Sequence, residues 1–183
     1  MDSIQVAVVG VGGWGKNLAR NLHQLPEANL RYVCDLNRTK LDQLARQLPG
    51  AQLTSDLDLV LRDPEVQAVV VATPAPRHHP ICKAALEAGK DVFVEKPFTL
   101  EVAHAEELIA LAKKNQRVLM VGHLLEYHPG VQMLKDLIDS GELGDVRYLY
   151  SNRLNLGVLR PDENALGSRG AHDVSVLLRL AGE

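Results

Sequence analysis

Three glycines and one aspartate within the first 35 residues have types and spacings that carry chemistry. Gly10, Gly12 and Gly15 form the pattern G-x-G-x-x-G immediately after a short apolar run. In this pattern the first glycine permits a tight turn, the second lets the backbone approach a pyrophosphate, and the third lets a helix pack closely on the preceding strand. Asp35 follows Gly15 by 20 residues, the spacing of a carboxylate that accepts hydrogen bonds from an adenosine ribose. Together these residues predict a dinucleotide-binding site.

The charge near the ribose indicates which dinucleotide is bound. A carboxylate at Asp35 repels a ribose 2′-phosphate, which favours NAD over NADP, whereas Arg38 keeps NADP open. Trp14 lies inside the glycine loop and either covers the pyrophosphate or packs against the helix that follows. The alternative that no ligand binds here also stays open, because glycine and aspartate end many strands.

The elements around these residues alternate between strand and helix. Short apolar runs such as 4–9 and 69–71 predict buried strands, and leucines at helical spacing predict the helices between them. Repeated βα units predict a doubly wound parallel sheet, the Rossmann architecture of the α/β class, with helices on both faces. Strands are predicted at 4–9, 30–34, 66–72, 91–94 and 117–121, and helices at 18–25, 41–48, near 55, 80–88 and 100–114.

The alternation stops near Pro129. A helix is predicted over 131–138, a long strand from Val146 to Leu154, and a last helix from His172 to Leu180. One strand and one helix cannot close a second domain, because an isolated strand leaves its backbone groups without partners. We therefore divide the chain into an NAD(P)-binding domain at 1–122 and the truncated start of a second α+β domain at 123–183. A homo-oligomer or a missing C-terminal partner would complete it.

The composition excludes several classes of protein. Lys and Arg number 20 against 23 Asp and Glu, so no basic surface for nucleic acid is expected. No apolar run reaches the about 20 residues of a membrane span, and Asp2 stands where a signal peptide carries positive charge. We expect a cytoplasmic protein without membrane contact, with Cys34 and Cys82 as reduced, buried thiols. No metal is expected, because the adjacent His78 and His79 rarely converge on one ion.

Four segments further along the chain complete a recognisable pattern. They are Thr73-Pro74, His78, Ala88-Gly89-Lys90 and Val94-Glu95-Lys96-Pro97. Through them the chain resembles, over essentially its whole length, the glucose-fructose oxidoreductase, inositol dehydrogenase and rhizopine-catabolism (Gfo/Idh/MocA) family of NAD(P)-dependent sugar oxidoreductases. The cofactor-binding residues predicted from the glycine loop and from this resemblance are Gly10, Gly12, Gly13, Trp14, Gly15, Asp35, Asn37, Thr73, Pro74, His78, Glu95 and Lys96.

The resemblance also implies the catalytic and substrate-binding residues. The family places the lysine of Glu-Lys-Pro beside the reacting carbon, which implies that role for Lys96, and its catalytic histidine matches His172. A histidine can accept a hydroxyl proton near neutral pH. Many members carry an aspartate four residues before that histidine, where this chain has Ser168. The predicted substrate-binding residues are Lys96, His123, Arg153, Asn155 and His172.

Two later segments point to a branch of this family. Residues 122–129 and 150–157 are most similar to members that oxidise the C3 hydroxyl of UDP-N-acetylglucosamine-type sugar nucleotides. The resemblance therefore implies an NAD-dependent dehydrogenase that transfers a hydride from a secondary hydroxyl of a sugar nucleotide. Two alternatives remain at this point: a non-catalytic or split NAD(H)-binding module, and a dehydrogenase of a free sugar or inositol.

Overall fold

The computed structural model describes residues 3–152, 154 and 170–182. The chain divides into two compact units, Met1–Val121 and Gly122–Glu183. None of the helices in the described ranges is long and apolar enough to cross a membrane.

The first unit is built on a parallel sheet. Its strands are β1 (Ile4–Val9), β2 (Ala28–Cys34), β3 (Gln52–Thr54), β4 (Ala68–Val71), β5 (Asp91–Val94) and β6 (Leu119–Val121). The intervening helices are α1 (Gly15–Gln24), α2 (Arg38–Leu44), α3 (Leu57–Arg62), α4 (His78–Glu87) and α5 (Val102–Lys114), with a 3₁₀ turn at Ala75–Arg77 before α4. The spatial order is β3-β2-β1-β4-β5-β6, and every neighbouring pair is parallel. This confirms the predicted doubly wound α/β sheet.

The core lies on both faces of that sheet. Val6 and Val8 of β1 join a buried cluster with residues of α1 and α2. Ala7 and Val9, one position out of phase, join a second cluster with residues of α3, α4 and α5. Since successive strand residues point to opposite faces, β1 supplies both clusters, which explains why its buried residues 6–9 are all apolar.

The main differences between the first unit and the sequence-based prediction are at β3 and at the end of α2. β3 was not predicted, because three residues are too few to show a period. α2 ends at Leu44 rather than near Leu48, and the following residues form a turn before Gly50, whose φ is +90°. A non-glycine residue rarely adopts that φ. Leu48 is nevertheless buried. The leucine spacing therefore indicated a buried position correctly, although that position lies beyond the end of the helix.

The second unit contains helices in its described part. A 3₁₀ helix spans Leu124–Tyr127, followed by α6 (Pro129–Asp139) and α7 (Ala171–Ala181). Proline is favoured at the first position of a helix, where no intrahelical donor is required. The predicted helices at 131–138 and 172–180 are confirmed, and α7 packs against both the 3₁₀ helix and α6.

The predicted strand from Val146 to Leu154 is wrong for the residues that the structure describes. Residues 146–152 and 154 are not in a strand. Tyr148 and Tyr150 are exposed, with ring centroids 6.2 Å apart. Alternation of apolar and polar residues favours an extended backbone, but a strand also needs a neighbour for its hydrogen bonds. Within the described ranges this segment pairs with no strand.

Candidate functional site

The loop after β1 has a shape that requires glycine at two positions. Gly10 has φ +90°, and a Cβ there would lie 2.7 Å from the Thr73 nitrogen. A Cβ on Gly15 would lie 2.0 Å from the Gly10 oxygen, inside any allowed contact. Gly12 and Gly13 have no atom within 4 Å of the equivalent position. The loop is therefore closed on the protein side and open on the other side, where a pyrophosphate can approach the backbone.

Asp35 lies directly after β2 and is fixed against this loop. One carboxylate oxygen accepts the Val11 backbone N–H at 2.8 Å, and the other accepts the Asn37 backbone N–H at 2.8 Å. Each oxygen retains further acceptor capacity, which suits ribose hydroxyls. The Asn37 side chain accepts the Lys40 N–H at the start of α2, so its observed contact caps a helix, and its contact with a cofactor stays a prediction.

These residues meet at the point where the sheet reverses its order. β1 and β4 are neighbours, yet the chain leaves β1 toward β2 and leaves β4 toward β5. The crevice at the carboxyl ends of two such strands is the usual ligand site of an open α/β sheet. The glycine loop follows β1, Thr73 follows β4, and Glu95 and Lys96 follow β5. The structure therefore brings the predicted cofactor residues of the first unit to one edge of the sheet.

His78 joins two of the loops at this edge. Its side chain is almost fully buried. Nδ1 lies 2.8 Å from the Pro97 carbonyl oxygen, and Nε2 lies 2.8 Å from the Thr73 carbonyl oxygen. The imidazole thus connects the chain after β4 to the chain after β5, and a direct contact of His78 with cofactor stays a prediction.

Thr73 provides a polar atom suited to a ligand. Its hydroxyl oxygen is buried and has no hydrogen-bond partner in the described part of the chain. Buried polar groups in proteins are almost always paired. An orphaned hydroxyl beside the glycine loop fits a site that a hydrogen-bonding cofactor completes. Pro74, next in the chain, is exposed and has a φ of −57° before the 3₁₀ turn.

Trp14 and Glu95 make a contact that the sequence analysis missed. The indole Nε1–H donates to a Glu95 carboxylate oxygen at 2.9 Å. Glu95 is buried, and this burial raises the pKa of its carboxyl group, while the Lys96 and Trp14 N–H donors oppose the rise. The two residues are 81 positions apart, so no local spacing could have indicated the pair.

A pocket of about 460 Å³ lies beside the glycine loop. Three cationic side chains line it, Lys16, Arg20 and Lys40. Three amide side chains also line the pocket, and no carboxylate is found among the described residues of its lining. The complete lining is Val11, Gly12, Gly13, Lys16, Asn17, Arg20, Lys40, Gln43, Leu44 and Gln47. The pocket therefore suits an anionic group, and the four-residue spacing of Lys16 and Arg20 on α1 is the signal that could have located it.

The predicted substrate residues belong to the second unit, apart from Lys96. His123 precedes the 3₁₀ helix, and its Nδ1 is buried with no partner among the described residues. His172 is the second residue of α7, and its carbonyl accepts the Ser175 hydroxyl at 3.0 Å. Arg153 and Asn155 lie outside the described residues. The roles predicted for these residues stay predictions.

The two thiols are buried, and no metal-binding cluster is present in the described ranges. Burial raises the pKa of Cys34 to about 11 and that of Cys82 to about 12, so both thiols are neutral near pH 7. Across residues 3–152, 154 and 170–182, no three His, Cys, Asp or Glu side chains are grouped so that they could hold a metal ion.

The fold and the site define an NAD-binding protein of the Rossmann class. A family model described as "Oxidoreductase family, NAD-binding Rossmann fold" matches residues 4–123. The chain belongs to this family, the Gfo/Idh/MocA oxidoreductases, which confirms the predicted family. The predicted cofactor, NAD, is confirmed as well.

Similar proteins include dehydrogenases. The chain is 34% identical over 160 residues to inositol 2-dehydrogenase of Mycolicibacterium smegmatis, covering 86% of this chain and 46% of that protein. It resembles GenD2 from gentamicin A biosynthesis, solved with NAD, with TM-score 0.85, 32% identity and coverage of 100% and 54% of the two chains. It also resembles scyllo-inositol dehydrogenase from Lactobacillus casei with NAD(H) and scyllo-inositol, with TM-score 0.74, 26% identity and coverage of 79% and 43%. The chain spans about half the length of the curated relatives.

Proposed function

We propose that this chain is the cofactor-binding half of an NAD-dependent dehydrogenase that oxidises a secondary hydroxyl of a sugar, sugar nucleotide or cyclitol. Residues 1–122 form the NAD(P)-binding domain, and residues 123–183 begin the domain that binds substrate. The observation that carries the proposal is the meeting of three features at one edge of the sheet: the glycine loop, Asp35 and the Glu95-Lys96 pair.

The residues of the first unit suit the parts of NAD. The open faces of Gly12 and Gly13 and the start of α1 would hold the pyrophosphate, and the Asp35 carboxylate would accept the ribose hydroxyls. The Thr73 hydroxyl provides a further hydrogen-bonding group at the same edge. When bound, the nicotinamide supplies the hydride acceptor for the reaction.

Lys96 would orient the substrate hydroxyl, and His172 would accept its proton. The Lys96 ammonium group donates a hydrogen bond to the hydroxyl oxygen and thereby orients it. The neutral imidazole of His172 accepts the hydroxyl proton while the C–H bond breaks and the C=O bond forms. The oxygen keeps the O–H electron pair, the carbon loses a hydride, and the product is a ketone.

Two substrate classes, sugar nucleotides and cyclitols, fit the proposed reaction. The segments 122–129 and 150–157 favour a UDP-N-acetylglucosamine-type sugar nucleotide oxidised at C3, with Arg153 and Asn155 binding sugar or diphosphate. The second candidate, a cyclitol, is favoured by the similarity to inositol 2-dehydrogenase and to scyllo-inositol dehydrogenase. Both substrates present a secondary alcohol, so the same residues would perform the same proton transfer.

The experiment measures absorbance of reduced nicotinamide for the purified chain with NAD and a panel of UDP-sugars, free hexoses and inositols. We expect Lys96→Ala to lower turnover by at least about 100-fold, the usual contribution of a group that assists proton transfer, while the Kd for NADH stays nearly unchanged. The exposed Lys114, the last residue of α5, provides the control Lys114→Ala, which should behave as the wild type.

Each outcome of this experiment has a defined meaning. Competition by UDP would identify the sugar-nucleotide class, and turnover of inositol without UDP competition would identify the cyclitol class. Equal loss of turnover and NADH binding in Lys96→Ala would contradict the role of Lys96. A folded wild-type chain that binds NADH and oxidises nothing in the panel would support a non-catalytic NAD(H)-binding module.

A further inference from the structure

The contact between Trp14 and Glu95 joins two loops that have separate tasks in the proposed site. Trp14 belongs to the glycine loop after β1, and Glu95 directly follows β5. The indole N–H donates to the carboxylate at 2.9 Å. Trp14 is 50% exposed whereas Glu95 is 8% exposed, so a largely open side chain reaches a carboxylate that is nearly shielded from water.

The second oxygen of Glu95 is held as well. It accepts the backbone N–H of Lys96 at 3.3 Å. The Glu95 backbone N–H donates to the Val71 carbonyl at 2.9 Å, which anchors the residue to β4. A buried carboxylate is costly unless its oxygens are paired. Among the described residues, the glycine loop therefore supplies one of the two donors that keep this carboxylate, and the Lys96 backbone bonded to it, in a single orientation.

The charges around Glu95 come from two neighbouring elements. Lys96 follows it in the chain, and His78 at the start of α4 also acts on it electrostatically. Both lower the pKa of Glu95, as do the donors from Lys96 and Trp14, while burial raises it and is the largest effect. The pKa of Glu95 is therefore raised from the ordinary glutamate value, because the effect of burial exceeds that of the opposing charges and donors.

We propose that Trp14 is a positioning residue: its indole N–H holds the Glu95 carboxylate, and through it the Lys96 backbone, so that the glycine loop at 10–15 and the segment 95–97 after β5 move together. The importance of this arrangement for catalysis rests on the role proposed above for Lys96. The coupling between the loops does not depend on that role, because it is a property of the folded chain without substrate.

Hydrogen exchange tests the coupling directly. The variant Trp14→Phe keeps an aromatic ring and removes the N–H donor. We expect the Lys96 amide proton, measured by NMR on the full chain, to exchange about tenfold faster in Trp14→Phe than in wild type, as expected for loss of one supporting hydrogen bond. The amide of Val92, inside β5 and bonded to the Val118 carbonyl, serves as the internal control for global stability. Unchanged exchange at Lys96 would overturn the proposal.

Fluorescence provides a second measurement on the wild-type contact. Trp14 is the single tryptophan of the chain, so its emission reports this position alone. We expect the emission to titrate as Glu95 gains its proton, with a midpoint above the usual glutamate value, and we expect this titration to vanish in Glu95→Gln. The exposed Glu106 on α5 provides the control Glu106→Gln. A titration that persists in Glu95→Gln would contradict the contact.

Turnover separates the positioning role from the proposed function. If the wild type oxidises a substrate, Trp14→Phe should lower kcat by about tenfold with little change in KM for the substrate at saturating NAD. Wild-type kcat in that variant would overturn the positioning role. If the wild type is inactive, the proposed function fails, and the exchange and fluorescence measurements still decide whether the two loops are coupled.

Discussion

Glycines of one loop perform different tasks, and single substitutions can separate them. Gly15 packs against the Gly10 carbonyl so closely that a Cβ would lie 2.0 Å from its oxygen, whereas Gly13 has no atom within 4 Å of that position. Gly15 therefore serves packing within the protein. Gly13 leaves open the space through which, in the proposed site, the pyrophosphate would approach the backbone.

We expect Gly15→Ala to lower the free energy of unfolding by about 1–3 kcal/mol, the usual cost of overpacking. Gly13→Ala should change it by less than about 0.5 kcal/mol and should still weaken NADH binding, because the new methyl group occupies the approach to the loop. Urea denaturation followed by circular dichroism and an NADH titration check the two effects. Equal stability of the two variants would argue against the steric distinction.

At the scale of residues, the sequence predicts contacts between residues that are separated by one helix and one strand. The separation of 20 between Gly15 and Asp35 is the length of one helix and one strand, which bring the two residues together. The pairing of Trp14 with Glu95 and the bridge from His78 to Pro97 both lie within the first unit, but each joins segments that follow different strands of the sheet. Such contacts depend on how strands are ordered in the sheet, which no spacing along the chain reports.

At the scale of elements, the pocket lined by α1 and α2 bears on cofactor choice. Its cationic side chains include Lys16 and Lys40. Asp35 stands beside it, with both carboxylate oxygens engaged by backbone N–H groups of the adjoining loops. In the proposed site, the Asp35 carboxylate would repel a 2′-phosphate and favour NAD, whereas the basic residues of the pocket would attract a 2′-phosphate and oppose that preference.

Removing the Asp35 carboxylate should therefore increase the affinity of the site for the 2′-phosphate of NADPH. We expect Asp35→Ser to raise the affinity for NADPH relative to NADH by about tenfold, since charged hydrogen bonds contribute on that order. The double variant Asp35→Ser with Lys40→Ala should lose most of the gain. Fluorescence titrations with the two reduced cofactors measure the ratio. A gain that survives loss of Lys40 would show that this pocket does not receive the phosphate.

The elements themselves were predictable where a run of residues was mostly apolar. β1 and β5 lie where the sequence placed them. The strand Gln52–Thr54 was not predicted because its one apolar residue, Leu53, stands between two polar residues, and the 3₁₀ helix at Leu124–Tyr127 was not predicted because four residues show no helical period. The strand predicted from Val146 was wrong for a different reason, since a strand is defined by its partner as well as by its own residues.

At the scale of the whole molecule, the two units differ in how they bury apolar surface. The first unit has two clusters of buried residues, one on each face of its sheet. In the second unit α6 has no buried residue, and Met133 is 64% exposed. Because stability follows buried apolar area, the first unit carries most of the folding free energy of the described chain.

We therefore expect a fragment of residues 1–121 to fold on its own and to bind NADH with an affinity close to that of the full chain. Thermal unfolding of the fragment should be cooperative, because its core is complete. The same fragment carrying Gly15→Ala is the matched control and should bind NADH weakly. A fragment without a cooperative transition would show that the second unit is needed to stabilise the first.

The position of β1 at the centre of the sheet has a consequence for how this chain can diverge. Its alternate residues supply two separate clusters, so inserting or deleting one residue would exchange the side chains offered to each. Small Ala7 would then stand where a valine is required, and the glycine loop would leave the strand on the opposite face. Change within β1 must accordingly proceed by substitution at constant length, while gains and losses of residues collect in the connecting turns.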